Sequence, residues 1–238
     1  MRLKDKVAII TGGGRGIGKA IAIGFAKEGA KVIVVARTKN EIELAADEIK
    51  NSGGMCLSMT CDVSNEAEVK QMIEKCFDEF GRIDVLVNNA GVGHVRPVYS
   101  TPLESFEKIL AVNLIGTFLC TKHVWQKMKS SGGGSIINIS SLGGIVGYPY
   151  LSAYCASKWG QIGFSKSCAE EGKEDNIRVN VIAPGKADTG IRARIIEDKS
   201  KMLTAEDHVP LSIFLASDES KYLTGNVIPL EWFGEKEE

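Results

Sequence analysis

The sequence predicts an α/β fold: a single doubly wound domain, with a central parallel sheet of about seven strands and helices on both faces. Three observations predict it. Short apolar runs alternate with longer segments of helical period along nearly the whole chain, the pattern of a parallel sheet covered on both sides. The first run, Val7-Ala8-Ile9-Ile10, passes through a glycine-rich turn directly into the first helical pattern. Gly12, Arg37, Asp62 and Asn88 fall at the ends of the first four runs, where open α/β sheets collect their ligands.

Each element has its own signal. Ile17, Ala20, Ile21, Ile23 and Phe25 recur at helical spacing up to Gly29, and Gly29-Ala30 stops that helix before the second strand, Lys31 to Ala36. Ile42, Leu44, Ala45, Ala46 and Ile49 place a second helix over Asn40 to Lys50, closed by Asn51-Ser52-Gly53-Gly54. Met55 to Thr60 reads as a third strand. A third helix follows from Ser64 to Phe80, with Val69, Met72, Ile73, Cys76 and Phe77 inward and Gly81 as its stop. Ile83 to Val87 is a fourth strand running into Asn88-Asn89-Ala90-Gly91. After a loop at 92–102, two helical patterns cover Leu103 to Met128, with Asn113 inside the second. Ser135 to Ile139 is a fifth strand ending on Ser140-Ser141, and Ser152 opens a long helix to about Gly172. Ile177 to Ala183 is a sixth strand, Glu206 to Ala216 a last helix, and Asn226 to Leu230 a last strand in which Pro229 removes one ladder donor.

Composition narrows the function. The 238 residues are 44% hydrophobic and 25% charged with a net charge of −1, so no basic field invites nucleic acid or anionic lipid. No apolar stretch reaches the roughly 18 residues of a membrane span, and Met1 to Lys6 leads straight into the first strand; the expectation is a cytoplasmic protein. The six cysteines form no Cys-x-x-Cys pair and the three histidines are scattered, so no metal cluster is expected and the thiols read as buried. Cys56 and Cys61, five apart along an extended segment, fall on opposite faces.

The turn reads Thr11-Gly12-Gly13-Gly14-Arg15-Gly16-Ile17-Gly18. Glycines let the backbone turn tightly and approach a diphosphate, and the helix N-terminus that follows offers unpaired N–H groups to an anion; alone, the same pattern also suits a plain structural turn. The acid that usually holds the ribose hydroxyls of NAD is absent. Ala36 stands in its place, followed by Arg37-Thr38. A guanidinium binds a 2′-phosphate that a carboxylate repels, and Arg15 could reach the same group from the other side. NADP(H) is therefore expected over NAD(H), unless both arginines simply face solvent. Tyr154 and Lys158 are four apart on one helix and share a face. An ammonium beside a phenol lowers its pKa from about 10 and makes it a general acid/base for an alcohol–ketone pair, with Ser141 at a strand end to orient the carbonyl oxygen.

These residues together resemble a known pattern. Thr11-Gly-x-x-x-Gly-x-Gly18, Asp62, Asn88-Asn89-Ala90-Gly91, Asn113, Ser141, Tyr154-Cys-Ala-Ser-Lys158 and Pro184-Gly185 are similar, over about residues 5 to 230, to the short-chain dehydrogenase/reductase family, and within it to 3-oxoacyl-acyl-carrier-protein reductases. The thirteen-residue separation from Ser141 to Tyr154 matches Ser141, not Ser140, to the family's serine. The resemblance implies a Rossmann-type oxidoreductase with Asn113, Ser141, Tyr154 and Lys158 as catalytic residues. In it Tyr154 exchanges the proton, Lys158 depresses the tyrosine's pKa and holds the nicotinamide ribose, Ser141 binds the substrate oxygen and Asn113 positions a water in a proton relay. It also implies a dinucleotide along Gly12, Gly14, Arg15, Gly16, Ile17, Gly18, Arg37 and Thr38, with Asp62 and Val63 flanking the adenine. Asn89, Ala90 and Gly91 support sheet and cofactor, and Pro184, Gly185 and Thr189 lie along the nicotinamide side. A homotetramer is implied, with a dimer as the alternative.

Two stretches depart from the pattern. The segment of about 190–205 that would cover the substrate is short and charged, and Glu231-Trp232-Phe233-Gly234-Glu235 replaces the usual Asp-Gly-Gly ending. Pocket positions are expected within Val92 to Val98, Leu142 to Tyr150 and Lys186 to Arg192, where His94, Tyr148 and Tyr150 could either meet substrate or pack. Lys122, Lys127, Lys129 and Lys166 suit either an acidic carrier protein or a solvated helix face. The reading is an NADP(H)-dependent ketone or 3-oxoacyl reductase. NAD-linked oxidation of an alcohol, sugar or steroid, and an NAD(P)-sensing binding protein without turnover, are the alternatives.

Overall fold

In the computed structural model, which describes residues 1–186 and 202–232, seven parallel strands form one sheet in the order β3-β2-β1-β4-β5-β6-β7. They are β1 Val7–Thr11, β2 Lys31–Ala36, β3 Met55–Thr60, β4 Val85–Asn88, β5 Gly134–Ile139, β6 Ile177–Pro184 and β7 Val227–Leu230. The helices are α1 Gly16–Lys27, α2 Lys39–Asn51, α3 Glu66–Phe80, α4 Leu103–Leu110, α5 Gly116–Ser130, α6 Ser152–Glu171 and α7 Val209–Ala216.

Alternation along the strands builds two cores. Val7 and Ile9 of β1 with Ile33 and Val35 of β2 face α3, α5 and α6, meeting Ile73, Leu119 and Ala169. Ala8 and Ile10 with Val32 and Val34 face α1, α2 and α7, meeting Phe25, Ile49 and Leu215. A strand buried on both faces needs an unbroken apolar run, which β1 and β2 supply. Cys56 and Cys61 fall in different cores, on opposite faces as their spacing predicts, and all six thiols are buried. Helix ends follow local chemistry: Asn65 caps α3 by accepting from the Ala67 and Glu68 N–H groups, and Gly81 closes it at φ 71°. Pro229 is tolerated because β7 is an edge strand.

Three expectations need correction. The fourth strand runs Val85–Asn88, two residues later at its start, because Asp84 turns its carboxylate onto the Val7 N–H (2.8 Å) and the Arg82 guanidinium. Asn113 does not lie within a second α-helix. Between α4 and α5 the chain makes a π turn, Ala111–Ile115, in which the Gly116 N–H reaches back five residues to the Ala111 carbonyl. Cys61 lies just beyond β3 rather than on it. Strand order reverses between β1 and β4, and at that reversal the loops after the two strands part and leave a cleft. No helix among the described residues is long and apolar enough to cross a membrane.

Candidate active site

The turn after β1 forms one wall of the cleft. Thr11 ties it to β4: its hydroxyl donates to the Val87 carbonyl (3.3 Å) and accepts from the Asn89 and Ala90 N–H groups (both 3.0 Å). The Asn89 amide returns the link, donating to the Thr11 and Gly12 carbonyls at 3.0 and 3.2 Å. Asn89 therefore braces the turn. A Cβ on Gly12 would stand 2.8 Å from that amide, and one on Gly18 would overlap both it and the Gly12 carbonyl oxygen. Gly16, at φ 54°, faces open space. Arg15 precedes α1 without a side-chain cap, so first-turn N–H groups remain for a ligand anion.

Gly12, Gly14, Arg15, Gly16 and Ile17 line the cleft together with Arg37, Thr38, Asp62 and Val63. Ala90 and Gly91 continue the wall beside Asn89, and Ser141, Tyr154, Lys158, Pro184 and Gly185 close the far end. Gly18 and Asn113 stand behind the lining rather than in it, and Thr189 lies outside the described residues, as does most of the segment 190–205. Of the expected pocket positions, Val92, Gly93, His94, Val95, Leu142, Tyr148 and Lys186 line the cleft; Tyr150 does not, and its backbone adopts φ 64°, while 187–192 lie outside the described residues.

The two arginines sit as the sequence places them but not unaccompanied. Arg15 is 3.9 Å from Glu41, itself a lining residue, and Arg37 is 3.7 Å from Asp62. Burial works to raise the Asp62 carboxyl, but the Ser64 hydroxyl and N–H donate to it and Arg37 lies beside it, and the net direction is down.

At the far end Gly143 brings two groups together. From the position of a Cβ there, Tyr154 Cε1 is 3.3 Å and Ser141 Oγ 3.5 Å away. The Ser141 hydroxyl accepts from the Gly143 N–H (3.0 Å), whereas Ser140 points inward and donates to the Lys158 carbonyl (3.2 Å). Lys158 is 3% exposed. Its ammonium donates to the Ile139 carbonyl (2.8 Å) and to Gln161 Oε1 (3.2 Å), and lies 5.9 Å from the centre of the Tyr154 ring. Burial pushes the Lys158 ammonium down to about 7. Desolvation, which disfavours the ionised form, thus works against the ammonium that is expected to lower the Tyr154 pKa. The Asn113 side chain is committed to structure: its Oδ1 accepts from the Val92 N–H (2.8 Å), and its Nδ2 donates to the Val92 carbonyl (2.9 Å) and Ser157 Oγ (3.0 Å).

The cleft thus joins a glycine turn at a helix N-terminus to a serine, a tyrosine and a buried lysine, and comparison with known proteins decides the family. The family described as short chain dehydrogenase matches residues 6–200. The chain belongs to the short-chain dehydrogenase/reductase family. It is 38% identical over 243 residues to a 3-oxoacyl-(acyl-carrier-protein) reductase of Thermotoga maritima, covering 97% of this chain and 98% of that one. To a 3alpha-hydroxysteroid dehydrogenase of Mediterraneibacter gnavus it is 37% identical, covering 97% of each. Among solved structures, a provisionally assigned NAD(P)-dependent gluconate 5-dehydrogenase of Beutenbergia cavernae, with NADP bound at low occupancy, superposes with a TM-score of 0.91 at 32% identity over 96% of each chain. The short-chain dehydrogenase/reductase described here is an NAD(P)-dependent oxidoreductase with the Rossmann-type fold of its relatives.

The structure also shows residues that sequence reasoning passed over. Glu41 faces Arg15 from α2, and Gln161 contacts Lys158. Three of the four lysines weighed for a carrier protein are held by this chain's own carboxylates: Lys122 by Glu66, Lys127 by Glu74 and Lys129 by Asp175.

Proposed function

We propose that this oxidoreductase reduces a ketone or 3-oxoacyl carbonyl to a secondary alcohol with NADP(H) as the preferred cofactor. The observation that carries the reading is the single cleft with Arg15 and Arg37 at one end and Ser141, Tyr154 and Lys158 at the other. The turn from Gly12 to Ile17 and the open face of Gly16 fit a diphosphate, and Arg37 and Arg15 fit a 2′-phosphate. The bound nicotinamide supplies the hydride. The protein supplies the rest: Ser141 donates a hydrogen bond to the carbonyl oxygen, Tyr154 delivers the proton to it, and Lys158 stabilises the phenolate left behind. Asn113 acts through the loop it holds. Thr189 is assigned to the nicotinamide side by sequence match only.

His94, Leu142 and Tyr148 give the substrate end a mixed aromatic and aliphatic lining, suited to a small carbonyl compound. The ion-paired lysines on α5 offer little free charge to an acidic carrier. Exposed Ile115, Phe118 and Trp159, on the π turn, α5 and α6, offer apolar surface for self-association, which suits the homotetramer, or the dimer, that the family resemblance implies. A second reading, NAD-linked oxidation of an alcohol, is favoured by Glu41: a carboxylate beside Arg15 competes with a 2′-phosphate.

A panel of ketones and 3-oxoacyl thioesters with NADPH and NADH, followed by nucleotide absorbance, tests the reading. Tyr154→Phe should lower kcat by about 10²–10⁴-fold and leave nucleotide affinity unchanged. Undiminished turnover in that variant removes Tyr154 from the mechanism.

A further inference from the structure

Gln161 sits in the middle of α6 and is fully buried, a position where a helix facing a core ordinarily carries an aliphatic side chain. Both ends of its amide are used. Oε1 accepts from the Lys158 ammonium at 3.2 Å, and Nε2 donates to Thr117 Oγ1 on α5 at 2.8 Å. An ammonium can only donate, so it fixes which end of the amide faces it. The Thr117 hydroxyl, having accepted from Gln161, donates onward to the Asn113 carbonyl at 2.9 Å. Asn113 in turn reaches Ser157 Oγ, which donates to the Tyr154 carbonyl at 2.7 Å. The donors and acceptors form one ordered path from Lys158 through the centre of the π turn and back to the helix that carries Tyr154.

We propose that Gln161 is a positioning residue of this site, holding the Lys158 ammonium at the floor of the cleft and tying it through Thr117 to Asn113. The proposal rests on the reading of Lys158 as the partner of Tyr154. Only two oxygen acceptors for that ammonium are described, the Ile139 carbonyl and Gln161. Among the described residues, the groups facing it from other elements are uncharged: the Ile139 carbonyl at the end of β5, Gly91 after β4, and Asn113 in the π turn. Tyr154, on its own helix, is its one titratable neighbour among them. With the ammonium only 3% exposed and no carboxylate partner among the described residues, a neutral oxygen at hydrogen-bond distance helps keep the charged form accessible. Removing it leaves one acceptor; replacing the amide by a carboxylate gives the ammonium a counter-charge.

The test is a Lys158 titration by NMR of the side-chain Cε–Hε signal in the nucleotide-free protein, assigned by its loss in Lys158→Met. It is run on wild type, Gln161→Met and Gln161→Glu beside the pH profile of kcat. Lys158 should titrate lower in Gln161→Met and higher in Gln161→Glu, each by about one unit, and the high-pH fall in kcat should move the same way. A structural role alone would lower stability or kcat in both variants without moving the two titrations apart, and that result overturns the proposal. If Gln161→Met does not fold, Gln161→Glu still decides: an unmoved Lys158 titration overturns the assignment and an upward one supports it. Opposite NMR shifts in a protein that turns over no carbonyl substrate would support the Gln161 contact while removing the reductase reading.

Discussion

The Asn113 amide grips Val92 from both sides, its Oδ1 accepting from the Val92 N–H at 2.8 Å and its Nδ2 donating to the Val92 carbonyl at 2.9 Å. An amide carries its acceptor and its donor on two separate atoms side by side, so it can satisfy a backbone donor and acceptor of the same residue at once. The π turn aims it. An extra residue in the turn rotates Asn113 off the apolar stripe and toward the loop after β4.

Asn113→Ala should therefore loosen the cleft wall before it touches any chemistry. Leaving the Val92 groups unpaired should cost about 1–3 kcal/mol, read as a lower unfolding midpoint without nucleotide. Asn113→Asp keeps the acceptor but loses the donor to Val92 and Ser157, and should fall in between. An unchanged midpoint in Asn113→Ala would mean that the clamp contributes nothing to stability.

The nucleotide end gives a second prediction. Arg37→Ala should weaken NADPH binding by tenfold or more while changing NADH binding little, because only the former has a 2′-phosphate to lose a guanidinium (about 1.5–3 kcal/mol for a hydrogen bond to a charged group). Glu41→Gln should shift selectivity further toward NADPH by freeing Arg15. Titration of both nucleotides against wild type and variants checks this. Equal binding of NADH and NADPH by wild type would favour the alcohol-oxidising reading.

The glycines of the turn are not equivalent. A Cβ on Gly18 overlaps the Gly12 carbonyl and the Asn89 amide, while one on Gly16 meets nothing within 4 Å but sits at φ 54°. Gly18→Ala should cost about 1–3 kcal/mol through forced backbone displacement and reduce nucleotide affinity by misplacing the turn. Gly16→Ala should cost only about 1–2 kcal/mol, the left-handed penalty. Thermal unfolding of the two variants without nucleotide gives the comparison; a larger loss in Gly16→Ala would contradict it.

The sheet could be read from sequence because both of its periods are local. A strand buried on two faces needs an unbroken apolar run, and β2 keeps the boundaries that its run suggests; β3, a partly exposed edge strand with Ser58 and Thr60 in it, keeps its expected boundaries too. The choice of Ser141 over Ser140 comes from the family resemblance, through the thirteen-residue separation from Tyr154; in the structure Ser140 donates to the Lys158 carbonyl and Ser141 accepts from the Gly143 N–H. The π turn was not legible, since inserting one residue in a helix leaves apolar residues near their expected spacing on either side. Nor were the contacts of Arg15 with Glu41 or of Lys122 with Glu66, whose partners are distant in sequence and come together only on folding. Gln161 carried a signal that went unused: a polar residue on the buried face of α6, three after Lys158.

His208 supplies the last prediction. It is fully buried at the entry to α7, its Nδ1 lies 3.0 Å from the Thr204 carbonyl, and its Nε2 has no hydrogen-bond partner among the described residues. A neutral ring with its proton on Nδ1 fits this site, because the carbonyl can only accept. Protonation would add a charge and a second donor where no described acceptor waits. Burial accordingly pushes the imidazole below its usual 6.5, against the pull of the Thr204 and Ala205 carbonyls and of Asp207 and Glu206. With the folded pKa depressed, the unfolded chain takes up the proton first. Stability is then full above about pH 6.5 and declines as pH falls toward the folded pKa, at no more than about 1.4 kcal/mol per unit. The carboxylates held low, Asp62, Asp175, Asp207 and Asp218 below their ordinary 3.8 and Glu66 and Glu74 below their ordinary 4.5, lose their contributions in a more acid window. Urea unfolding at pH 7.5, 6.5 and 5.5, at one protein concentration, should show a fall in wild type that is much shallower in His208→Leu. Parallel slopes in the two proteins would show that His208 is not the titrating group.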